Sequence, residues 1–157
     1  MYLPNIESMA FNFTLKNQKG EDITLRDFRE EKNVVLYFYP KAMTPGCTTQ
    51  ACGIRDAKAE FDALDTVVFG VSPDSVHRLE KFVEKEGLNF DLLSDEDHAV
   101  ADRYGVWGPK KFMGREYDGI HRVTFIIGLD GRIRHIFPKV KTKTHHDDVI
   151  NWLKTNL

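Results

Sequence analysis

Cysteine, long apolar runs and an excess of charge of either sign are all scarce in this chain. Two cysteines in 157 residues cannot build a disulfide scaffold or a four-cysteine zinc site, which leaves buried thiols, one bridge or reactive thiols. The longest wholly apolar run, Val34 to Tyr39, falls far short of the roughly 18 residues that span a bilayer. The amino terminus has no basic stretch followed by an apolar one, so neither a membrane nor a secretory role is expected. Lys+Arg 22 nearly balance Asp+Glu 24, for a net charge of −2, so no polybasic grip on nucleic acid is indicated. With 41% hydrophobic and 29% charged residues, disorder is excluded as well.

What remains is enough for one core, and residues 1–157 are expected to form a single domain. Phe11, Phe13 and Leu15, then Ile23 and Leu25, alternate with polar residues around Asn17-Gln18-Lys19-Gly20, which predicts an amino-terminal β-hairpin. Val34 to Tyr39 is apolar throughout and suits a central strand covered on both faces. Ala51, Ile54, Ala57, Phe61 and Leu64 follow helical spacing, and Thr66 to Val71 reads as the next buried strand. A second helix is announced by Ser72-Pro73-Asp74 and ends at Gly87. It is followed by a short strand from Phe90 to Leu93 and a short helix within Asp95 to Tyr104. The stretch from Gly105 to Ile120 predicts an irregular loop. Val123 to Ile127 and Arg132 to Phe137 flank Asp130-Gly131 as a hairpin, and Thr144 to Leu157 forms a last helix. This order predicts an α/β fold with a mixed central sheet flanked by helices.

The chemistry concentrates where the central strand ends, the edge at which open α/β sheets place ligands. Thr44 suits an N-cap and Pro45 the first helical position, which sets Cys47 in the first turn, where the helix dipole favours a thiolate. The alternative is a small buried hydrophobe. On a continuous helix Cys47 lies near the apolar stripe, Cys52 points to the opposite side, and Lys58 falls at the stripe's edge. Helix geometry separates the Cys47 and Cys52 Cα atoms by about 8.7 Å, beyond the about 7 Å limit for a bridge, so a disulfide requires the turn to melt. Gly53 costs the helix about 0.5 to 1 kcal/mol relative to alanine, which makes that turn easier to open. A surface cysteine beside a helix-packing glycine is the other reading.

The string Tyr37 to Asp56, YFYPKAMTPGCTTQACGIRD, resembles the active-site segment of the peroxiredoxins, and among them the bacterioferritin comigratory protein, or peroxiredoxin Q, group. Pro40, Thr44 and Cys47 match that family's P-x-x-x-T-x-x-C motif, and Cys52 matches the group's resolving cysteine. Leu93-Ser94-Asp95, Tyr104-Gly105-Val106-Trp107-Gly108 and Gly119-Ile120-His121-Arg122 before Thr124-Phe125 match as well. Ala10-Phe11-Asn12-Phe13 stands where the family often has Ala-Pro-Asp-Phe, and Gly128 where an aspartate is common.

The resemblance implies a thioredoxin-like fold and a hydroperoxide substrate reduced at Cys47. In that reading Cys52 resolves the sulfenic acid, Thr44 orients the peroxide, Pro40 shields the site, and Arg122 supplies a fixed positive charge. It implies no metal or organic cofactor, a thioredoxin or glutaredoxin-type reductant and a monomer; the absence of targeting signals and the need for reducing partners lead to the expectation of a cytoplasmic setting. A thioredoxin-type exchange protein is the main rival, but its usual C-x-x-C is replaced here by C-x-x-x-x-C. A non-enzymatic binding module or holdase with incidental cysteines is the third reading. His145-His146 has no further partners spaced for a metal site, and with Asp147-Asp148 reads as a capped, solvated helix start. Lys139, Lys141 and Lys143 form a small basic patch, read as a solvated edge.

Overall fold

A computed structural model describes residues 2–157. The central strand β3 (Asn33–Phe38) is buried along its whole length, and its side chains divide by alternation. Val34, Leu36 and Phe38 enter one apolar cluster, while Val35 and Tyr37 enter the other, joined there by Tyr39 just past the strand. That double burial is why the strand reads as an unbroken apolar run. On one side it pairs in parallel with β4 (Thr66–Ser72), and β4 pairs in parallel with β5 (Asp91–Ser94). The amino-terminal hairpin, β1 (Thr14–Asn17) and β2 (Asp22–Thr24), extends this edge antiparallel to β5. On the other side β3 pairs antiparallel with β8 (Thr124–Ile127), and β8 with β9 (Ile133–Phe137). The result is a seven-stranded mixed sheet in the order β2-β1-β5-β4-β3-β8-β9.

Helices cover both faces, as the alternating β3 pattern requires. Helix α1 (Pro45–Asp56), α2 (Lys58–Ala63), α3 (Val76–Glu86) and α5 (His145–Asn156) lie against the face of Val35 and Tyr37, and the short α4 (Ala99–Arg103) against the opposite one. This mixed sheet flanked by helices, with an amino-terminal hairpin, is a thioredoxin-like fold.

Three local expectations are corrected. The stretch from Ala51 to Leu64 is two helices, because the chain leaves helical geometry at Ala57 (φ −98°, ψ 8°). Ile54, Ala57 and Phe61 stay buried across the break, so the apolar period does not register it. Lys58 therefore opens α2, where it pairs with Asp62 at 2.9 Å. Helix α3 is capped by Ser75, whose hydroxyl accepts from Arg78 N–H at 3.2 Å, not by the Ser72-Pro73-Asp74 segment. The stretch from Gly105 to Ile120 is not irregular. It contains a two-stranded hairpin, β6 (Trp107–Phe112) and β7 (Arg115–Ile120), turned by Met113 (φ 52°) and Gly114 (φ 79°). Two successive positive φ values are the geometry of the tightest hairpin turns. Both faces of this hairpin are largely solvated, so it carries no apolar alternation to read.

Candidate active site

The chain leaves β3 at Tyr39, whose N–H bonds Val71 O at 3.0 Å, and crosses the sheet edge through Pro40 to Thr44. This loop is held from below by a buried carboxylate. Asp74 Oδ2 accepts from Ala42 N–H at 2.7 Å and from Ser72 Oγ at 2.8 Å, while its other oxygen takes Arg78 Nε at 3.0 Å. Arg78 also donates to Ala42 O at 3.2 Å. Asp74 and Arg78 thus clamp both polar groups of the Ala42 backbone; the sequence offered Asp74 only as part of a helix-start signal. Met43 sits at φ 66°, a left-handed conformation that strains a side-chain-bearing residue and concentrates at functional loops. Pro40 is half-buried.

Thr44 occupies the N-cap position and Pro45 the first helical one, but the Thr44 hydroxyl makes no cap bond. It donates instead to Lys41 O at 2.9 Å. The N–H groups of Gly46 and Cys47 precede the first intrahelical bond, from Thr48 N–H to Thr44 O, and so have no acceptor within the helix. Cys47 itself is only 2% exposed.

Antiparallel pairing of β8 with β3 brings the start of β8 to the same sheet edge. Arg122 stands there, one residue before the Val123 carbonyl that accepts from Phe38 N–H. Its Nη2 lies 3.1 Å from Cys47 Sγ, and its Nη1 donates to Gln50 Oε1 at 2.9 Å. A Cβ at Gly46 would come within 3.1 Å of Arg122 Nη2, so the absence of a side chain there leaves room for the guanidinium. Lys110 reaches the same region from β6, donating to Ile120 O at 2.7 Å. Burial, and then the neighbouring Arg122, hold its ammonium below the usual lysine range.

The largest departure from the sequence reading is His145, which is not solvated but 2% exposed beneath the site. Its Nδ1 lies 3.1 Å from Gln50 Nε2 and its Nε2 lies 2.8 Å from Thr124 Oγ1. Burial, then His146 and Arg122, push its pKa down to about 3. Gln50 does not stand out in the sequence, and His145 does so only as part of a solvated helix start, because their neighbours in the chain are not their neighbours in the fold.

Both cysteines are free thiols. Cys52 lies in the third turn of an unbroken α1, half-buried, with its sulfur 3.6 Å from Glu86 Oε2 of α3. Burial pushes its thiol up; Arg55 opposes this, and Glu86 adds to it. Beside it, a Cβ on Gly53 would meet His146 Nδ1 at 2.4 Å. Gly53 is therefore the seat of the His146 ring, as the helix-packing reading anticipated. Among the described residues no group of three or more His, Cys, Asp or Glu is placed to hold a metal ion, and no helix is long and apolar enough to cross a membrane.

A buried thiol in the first turn of a helix thus meets a guanidinium at one edge of a thioredoxin-like sheet, an electropositive setting that favours a thiolate. The AhpC/TSA family model matches residues 6–136, and the chain belongs to that family; it is a peroxiredoxin, a thiol-dependent peroxidase. It is 55% identical over 151 residues to a putative peroxiredoxin bcp of Haemophilus influenzae, covering 96% of this chain and 97% of that one. A mutant PrxQ of Xylella fastidiosa has a solved structure that superposes with a TM-score of 0.91 at 33% identity, over 99% of this chain and 98% of that one. The bacterioferritin comigratory protein of Xanthomonas campestris, studied for its alkyl peroxide reduction activity, superposes with a TM-score of 0.86 at 36% identity, over 91% and 90% of the two chains.

Proposed function

We propose that Cys47 is the peroxidatic cysteine and that the intact 1–157 domain reduces hydrogen peroxide and organic hydroperoxides. The observation that carries this is the 3.1 Å contact between Arg122 Nη2 and the buried Cys47 sulfur. The Cys47 thiolate attacks the terminal peroxide oxygen, the O–O bond breaks, and the departing oxygen takes a proton as water or alcohol. Cys47 is oxidised to sulfenic acid in the same step. Arg122 holds the thiolate and polarises the O–O bond, while the free N–H groups of Gly46 and Cys47 face the charge that develops on oxygen. Thr44, its proton engaged by Lys41 O, offers its lone pairs to the peroxide O–H. Pro40 keeps bulk water off the attacking sulfur.

Cys52 then condenses with the sulfenic acid, releasing water and forming an intramolecular disulfide. A dithiol donor of the thioredoxin or glutaredoxin type returns both cysteines to thiols and leaves oxidised itself. The reading includes a monomer working in the cytoplasm, where such donors are kept reduced. The activity of the Xanthomonas relative supports alkyl hydroperoxides as substrates.

Peroxide consumption and intact mass after one equivalent of hydrogen peroxide test the assignment. Cys47→Ser abolishes consumption, whereas Cys52→Ser completes one turnover and stops with one oxygen on Cys47. Oxygen appearing first on Cys52, a disulfide joining two chains, or rapid insulin reduction with no peroxide turnover would overturn it.

A further inference from the structure

Arginine can only donate hydrogen bonds, and this makes the buried network behind Cys47 directional. Because Arg122 Nη1 donates at 2.9 Å, the Gln50 atom that meets it must be the amide oxygen. The Gln50 NH2 group is therefore the one turned toward His145 Nδ1 at 3.1 Å. An NH2 group needs an acceptor, so Nδ1 carries no proton. The proton of neutral His145 then sits on Nε2, where it donates to Thr124 Oγ1 at 2.8 Å. Each link has one permitted polarity, from Arg122 through Gln50 and His145 to Thr124.

Protonating His145 would set an N–H against the Gln50 NH2 group. Gln50 could relieve that clash of donors only by flipping, and the flip would turn its NH2 group onto Arg122 instead. A charged His145 and an Arg122 held by Gln50 exclude each other. The surroundings oppose the charge as well: His145 is buried, His146 adjoins it on α5, and Arg122 stands beyond Gln50.

We propose that His145 is a positioning residue for peroxide reduction: as the Nε2-protonated neutral imidazole, it fixes the Gln50 amide so that Gln50 Oε1 holds Arg122 on the Cys47 sulfur. It touches neither thiol nor peroxide and acts through the guanidinium. This rests on the roles given above to Cys47 and Arg122.

The test uses full-length protein carrying Cys52→Ser, so that Cys47 is the one thiol, and reads the pH midpoint of iodoacetamide alkylation and the second-order rate with hydrogen peroxide. Arg122→Met is the control and moves the midpoint up and the rate down. His145→Leu, which fills the space without an acceptor, moves both the same way, by about one pH unit and about tenfold. His145→Asn, which returns an acceptor near the Nδ1 position, restores most of the rate at comparable thermal stability. Gln50→Leu combined with His145→Leu is no slower than Gln50→Leu alone.

If Arg122→Met moves both readouts and His145→Leu moves neither, the proposal is wrong. The same holds if His145→Asn is as slow as His145→Leu at equal stability. If Arg122→Met moves neither, the role of Arg122 itself fails. Nitrogen NMR of the parent protein needs no folded variant: Nε2-protonated His145 at neutral pH is expected, and the Nδ1-protonated tautomer or an imidazolium there would overturn the proposal.

Discussion

The Arg122 guanidinium lies 3.1 Å from the Cys47 sulfur although 75 positions of chain separate the two residues. Their meeting follows from strand direction. Cys47 comes after the end of β3 and Arg122 before the start of β8, and the antiparallel register Tyr37↔Thr124 sets those ends side by side. One guanidinium contacts both Gln50 and Cys47, so its plane as well as its charge is specified.

Arg122→Met should therefore slow the first peroxide step by about 100-fold, the scale on which removal of one preorganised donor acts. Arg122→Lys should recover only part of that loss, since an ammonium is a point charge without the two-pronged fork. Stopped-flow peroxide consumption measures both. A lysine variant as fast as the parent would show that the geometry of the fork is irrelevant.

Gly53→Ala separates two opposing effects. Helix propensity alone predicts a gain of about 1 kcal/mol in an exposed turn. The Cβ, however, would fall 2.4 Å from His146 Nδ1, and forcing α5 off α1 should cost about 1 to 3 kcal/mol. Net destabilisation in urea unfolding is the expected result; an increase in stability would mean that the His146 ring moves aside freely.

Acid should weaken the fold through His145. The folded protein keeps it neutral down to about pH 3, whereas the ordinary imidazole value is 6.5. Between those values the unfolded chain binds the extra proton, so this contribution is complete above about pH 6.5 and is lost progressively as the pH falls toward 3. Urea midpoints measured from pH 7 to pH 4 should fall more steeply for the parent than for His145→Asn, which has no proton to gain. Parallel curves would refute the assignment.

Oxidation should dismantle the start of α1. With both thiols reduced the helix is continuous from Pro45 to Asp56, and a regular helix holds the two Cα atoms about 8.7 Å apart, too far to bridge. Disulfide formation should therefore lower helical circular dichroism and raise amide exchange across residues 45–52, both reversed by dithiothreitol. Unchanged exchange in the disulfide form would contradict the geometry.

Much of this was legible beforehand where local chemistry and burial agree. The apolar run of β3, the Thr44-Pro45 helix start and the Asp130-Gly131 turn each announce their own conformation. What escaped lies where the signal is weak or nonlocal. The β6–β7 hairpin is solvated on both faces, so strand alternation had nothing to print on it. The break at Ala57 falls inside a stripe that stays buried on both sides of it.

The sequence by itself determined the types of most elements, the placing of a thiol in the first turn of a helix, and the resemblance to the peroxiredoxins, because these depend on residues near one another in the chain. Only the tertiary structure decided what surrounds that thiol. Arg122 comes from the approach to β8, Thr124 from β8, Gln50 from α1 and His145 from α5, and they meet because the antiparallel strand and the packing of α5 on α1 bring them to one sheet edge. His145 shows the difference most plainly: beside Asp147 and Asp148 it reads as part of a solvated helix start, yet in the fold it is buried and committed to two hydrogen bonds. A side chain's neighbours in space, not those in sequence, set its protonation and its partners.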